Sequence, residues 1–71
     1  MGRIRVRYQI SLADEMSALC RAAFPDLEVT DRPGGGTCLS GELADQAALI
    51  AVLLRLDALG LRWLEVRQLP D

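Results

Sequence analysis

Residues 43–61, LADQAALIAVLLRLDALGL, limit what this chain can fold into more than any other stretch, because no other segment is both long and apolar enough to anchor a core. At the helical period of 3.6 residues it presents two apolar faces rather than one. Leu49, Val52, Leu53, Leu56 and Leu59 crowd one side. Leu43, Ala47, Ile50, Ala51, Leu54 and Ala58 fill most of the other, interrupted only by Asp45, Gln46, Arg55 and Asp57. A surface helix needs a single apolar stripe, so this one must be sandwiched, either inside its own domain or by a partner. At 71 residues the chain has little of itself to spare for the first option. A single domain over residues 1–71 is expected, of a size that buries only about 60% of the surface exposed by its unfolded chain.

Composition removes several functions. There is no histidine, which takes away the commonest general base and the commonest metal ligand. The net charge of −2 argues against a dedicated nucleic-acid binder, although all eight basic residues are arginine. Cys20 and Cys38 have no histidine or nearby cysteine to complete a metal site or nucleophile pair, and they read as small buried hydrophobes. The ten carboxylates are scattered, with no spacing that gathers two into a general acid/base pair. No catalytic residue, cofactor site or metal site is expected. With no leader-like segment and an apolar run reaching only from 47 to 54, short of the roughly 20 residues of a membrane span, a soluble cytoplasmic protein is expected.

Along the chain, residues 3–10 alternate. Ile4, Val6, Tyr8 and Ile10 fall on one side and Arg3, Arg5, Arg7 and Gln9 on the other, the pattern of a half-buried strand. Ser11 with Asp14 and Glu15 resembles a helix start, followed at helical spacing by Leu12, Met16, Leu19, Cys20 and Ala23 and stopped before Pro25. Residues 27–31 read as a second strand, 34–36 as a glycine turn and 37–41 as a third strand of uncertain facing, because Cys38 and Leu39 are adjacent and both apolar. The long helix, capped by Glu42 or Asp45, closes at Gly60. Residues 62–69 resume alternation, with Leu64 and Val66 opposed to Trp63, Glu65, Arg67 and Leu69.

The order β-α-β-β-α-β predicts an α+β, ferredoxin-like sandwich: a four-stranded antiparallel sheet in spatial order 4-1-3-2, two helices on one face and the other face open. Arg3, Arg5, Arg7 and Arg67 form a candidate basic surface on that open face. Beside Trp63 it resembles the geometry with which RNA recognition motifs stack bases, but strand 3 carries no aromatic residue. Gly34-Gly35-Gly36 reads as a hairpin; it lacks the following helix and the lysine of a phosphate loop.

In strand and helix order and in size the chain also resembles the regulatory ACT domains, which pair with one another and in some cases bind amino acids at the seam. Their ligand loop after strand 1 carries an acidic residue, proline and glycine; residues 10–14 here, ISLAD, have neither proline nor glycine. A more local resemblance covers residues 39–69. The run LSGELADQAAL, continued through Val52-Leu53 to Leu59-Gly60-Leu61, is similar to the second half of a group of small bacterial proteins with no known activity to transfer. Members of that group tend to carry histidine and glycine where this chain has Ile50 and Ala51, and the exchange makes the second helix face more apolar.

Leu49, Leu53 and Leu56 are therefore assigned to the core. Leu43, Ala47, Ile50 and Leu54 are assigned to an outer stripe, with Trp63 and Leu69 adding apolar area on the open sheet face. These six outer residues form the candidate interface of a non-enzymatic interaction module that self-associates as a homodimer, with a different protein partner as a further possibility. The alternatives are an ACT-like amino-acid sensor with an unidentified small ligand and a weak RNA-binding module. Outside that last alternative no nucleic-acid partner is expected, and no membrane partner is expected.

Overall fold

The computed structural model describes residues 6–70, and Arg3, Ile4 and Arg5 lie outside them. Six elements follow one another: β1 (Val6–Leu12), α1 (Ala18–Arg21), β2 (Glu28–Asp31), β3 (Thr37–Leu43), α2 (Gln46–Ala58) and β4 (Trp63–Leu69). All strand pairs are antiparallel, and the order is β2-β3-β1-β4, which counted from the opposite edge is β4-β1-β3-β2.

Register sets the two faces, because residues opposite one another share a side. Ile10 pairs with Leu39 of β3 and with Val66 of β4, and Val6 pairs with Leu43, so this side collects the core. Arg7 pairs with Glu42 and Leu69, Gln9 with Ser40 and Arg67, and Ser11 with Cys38 and Glu65, which makes the other side polar. The facing of β3 is thereby resolved: Leu39 is fully buried in the core, and Cys38 points to the open side.

α2 has local signals at both ends. Asp45 is its N-cap, its Oδ1 accepting from the Ala48 N–H at 2.9 Å. At the other end Gly60 takes φ +74°, the Gly60 N–H donates to the Asp57 carbonyl and the Leu61 N–H donates to the Leu56 carbonyl. This paired bonding is a Schellman stop, and its usual apolar contact is supplied by Leu56 and Leu61, both buried. From α2, Val52 and Leu56 enter the core beside Ile10, Leu12, Leu39, Met16 and Phe24, while Leu49 and Leu53 pack at its margin. Each fully buried side chain of this kind contributes about 1.5–3 kcal/mol relative to exposure.

The first helix departs from expectation. Leu12 is not helical; it is the last residue of β1, paired with Thr37 and Trp63. The helix is a single turn capped by Ser17, whose Oγ accepts from the Cys20 N–H, and not by Ser11. Tertiary hydrogen bonds explain the difference. The Thr37 hydroxyl, fully buried, accepts from the Met16 N–H at 3.1 Å and donates to the Asp14 carbonyl at 2.9 Å. The Ala13 N–H donates to the Arg62 carbonyl at 2.9 Å. Residues 13–16 thus have their polar backbone groups claimed by β3 and by the approach to β4, and a helix there would have to give those bonds up. Leu19, which shares the helical spacing of Met16 and Ala23, is 84% exposed.

β3 also runs two residues past the expected end, because Glu42 and Leu43 find partners in Arg7 and Val6. Leu43 is therefore a strand residue packed against the core, not part of the outer helix stripe. In the β2–β3 turn, Gly36 sits at φ +94°, and a Cβ there would come within 2.3 Å of the Leu12 carbonyl oxygen. Arg32 also reaches this oxygen, donating from Nη1 at 3.0 Å, so the turn is tied to the end of β1.

Candidate interaction surface

The outer face of α2 is built from residues that its core face leaves over. Ala47 is exposed, Ile50 is 48% exposed and Leu54 is 62% exposed, all on the side away from Val52 and Leu56. Leu69 is half-buried on the open sheet face opposite Arg7. Trp63, 42% exposed, does not continue that face in simple alternation. The register slips between Ser11 and Leu12, setting Trp63 against Leu12 and leaving Leu64 over. The structure thus brings Ala47, Ile50 and Leu54 together on one helix face, with Trp63 and Leu69 at the two ends of β4 and Leu43 elsewhere.

Alternation places Leu64 on the inner side with Val66, yet it is 58% exposed. The available signal was topological: β4 ends the sheet, so its core-side residues have a neighbour on one flank only. Leu59, 42% exposed at the end of α2, is a further apolar residue outside the candidate set.

On the open face, Arg7 and Arg67 stand among Glu28, Glu42 and Glu65. Of the candidate basic surface, Arg3 and Arg5 fall outside the described residues. Cys38 is buried even on this side, and the Gln9 Nε2 donates to its Sγ at 3.0 Å; Cys20 is half-buried, and both thiols are free.

Two depressions border these elements. One of about 210 Å³ lies where Phe24, Leu27 and Leu43 meet Ala48, Val52 and Arg55. Arg55 closes it, donating from Nη1 to the Ala23 carbonyl at 3.1 Å with its guanidinium 5.6 Å from the Phe24 ring centre. The other, broad and open, of about 670 Å³, sets Arg7 beside Asp26, Glu28 and Glu42. Among the described residues no group of three or more histidine, cysteine, aspartate or glutamate side chains could hold a metal ion.

One ion pair organises the loops at the β4 end. Asp14 accepts from the Arg62 backbone N–H at 2.9 Å and from its Nη2 at 3.1 Å. The Arg62 hydrogen bonds, side chain first and backbone second, hold the Asp14 carboxyl below its ordinary 3.8, and the same contact raises Arg62. A second pair, Arg21 with Asp31 at 2.9 Å, ties α1 to β2.

Fold and surface together define a small α+β domain, an antiparallel sheet with one covered and one open face, whose long helix keeps an apolar outer side. Among the described residues no helix is long and apolar enough to cross a membrane. The chain belongs to the family described as a domain of unknown function (DUF8691), which matches residues 7–67. No curated protein and no solved structure matches it.

Proposed function

We propose that this chain is a cytoplasmic, non-enzymatic interaction module of ferredoxin-like arrangement that self-associates as a homodimer. The observation that carries the proposal is the apolar surface left on α2 and β4: Ile50, Leu54, Leu59, Trp63 and Leu64 are each at least 42% exposed in the single chain. Single exposed leucines are ordinary, but this concentration on two consecutive elements marks a surface that gains by being covered. A domain of this size has a small core, and burial against a second copy would add to its stability. The ACT-like and RNA-binding readings draw no comparable support. The open face mixes arginine with glutamate, and the loop after β1 is held by Thr37 and Arg62.

The test is solution mass by light scattering across a dilution series. A dimer is expected, and exchanging Ile50 and Leu54 together for glutamate should yield a folded monomer. A wild-type chain that stays monomeric at every concentration would sink the proposal.

A further inference from the structure

The two edges of the sheet are not alike. β2 is four residues long, Glu28–Asp31, acidic at both ends, and it leads into Pro33; short charged edges resist further pairing. β4 is seven residues long, Trp63–Leu69, without proline, glycine or lysine. Its one irregularity falls at its first residues, and from Glu65 to Leu69 it runs in unbroken register with β1. The backbone groups on its outer side face no strand among the described residues, so β4 is a template for one more strand.

The side chains of β4 specify which strand. When a strand pairs antiparallel with a second copy of itself about a two-fold axis, the numbers of facing residues have a constant sum, and facing residues share a side of the sheet. Centred on Val66, Glu65 faces the second copy's Arg67, and symmetry repeats that pair. Only residues from Glu65 onward, past the slip in the ladder, enter this pairing in simple register. Centring on Glu65 would set that glutamate against itself, and centring on Arg67 would set that arginine against itself. Moving farther either way leaves only one end of the strand paired. Among the described residues neither Glu65 nor Arg67 forms an ion pair within the chain, so both are free for this one.

We propose that β4 pairs antiparallel with β4 of a second copy, centred on Val66, to make one continuous sheet. This rests on the self-association proposed above and assigns its interface. The axis is perpendicular to the sheet, so both copies of α2 stand on the same face. Arg55 bonds Ala23 on the α1 side, so Leu53 lies on the opposite flank of α2. One partner therefore covers the bare edge and the apolar side chains of Leu64 and Val66 along it.

Light scattering and sedimentation on Glu65→Arg, Arg67→Glu and the double exchange test the register, with circular dichroism confirming that each folds. Each single change makes both symmetric pairs like-charged and should weaken the dimer by about tenfold or more. The double exchange restores opposite charges and should return to within about threefold of wild type. A wild-type dimer indifferent to the single changes, or a double variant no better than the singles, would overturn the register and leave self-association standing. A wild-type monomer would end both.

Discussion

Replacing Thr37 by valine tests the idea that one buried hydroxyl holds the chain after β1 out of helical conformation. Valine keeps the shape and removes the oxygen. Two groups then lose their partner: the Met16 N–H, in a residue 5% exposed, and the Asp14 carbonyl, in a half-buried one. An orphaned buried backbone group costs about 1–3 kcal/mol, the better-solvated carbonyl falling at the low end, and the extra buried methyl offsets part of the sum. A net loss of about 2–4 kcal/mol is expected, against a total stability of roughly 4–10 kcal/mol for a domain of this size. At about 4–8 °C per kcal/mol, the melting temperature should fall by roughly 8–32 °C. Thr37→Ser keeps both hydrogen bonds and should lose only about 1 kcal/mol for its missing methyl. Thermal and urea unfolding followed by circular dichroism, at one protein concentration, measure both. A valine variant within about 0.5 kcal/mol of wild type, or a serine variant as damaged as valine, would refute the reasoning.

Two further expectations concern the same corner of the molecule. Gly36→Ala combines a left-handed backbone with a Cβ 2.3 Å from the Leu12 carbonyl oxygen, which also receives Arg32, so it should destabilise by about 2 kcal/mol or more; urea denaturation showing no loss would mean that the turn relaxes freely. Because Asp14 titrates below 3.8 in the folded chain, its contribution is complete above that value and is lost as pH falls through the lower folded value. Asp14→Asn should therefore narrow its stability gap to wild type as pH drops from 5 toward 2, and a gap independent of pH would remove Asp14 from the acid response.

Wherever a residue's fate depends on its immediate neighbours, it could be read from the chain. The alternation through Val6, Tyr8 and Ile10 specified a half-buried strand, and the 3.6-residue recurrence of Leu49, Val52, Leu53 and Leu56 specified the inner side of α2, whereas Leu59, read on the same side, is 42% exposed at the end of the helix. Gly60 marked its end through bonds that close within a few residues, while of the two caps open at its start, Glu42 and Asp45, the structure takes Asp45 and leaves Glu42 in β3. The outer exposure of Ala47, Ile50 and Leu54 followed from that same period.

Tertiary structure alone decided what depends on a partner far along the chain. Leu12 and Leu43 became strand residues because pairing partners lay opposite them, and the first helix shrank to one turn because Thr37 and Arg62, 21 to 49 residues away, took backbone groups of residues 13–16. Trp63 and Leu64 left simple alternation because the ladder slips beside Leu12, and Leu64 stayed exposed because β4 has a neighbour on one side only. Periodicity reports which side of an element is apolar. Which backbone groups are already claimed, and which edge is left bare, is settled only when the strands meet.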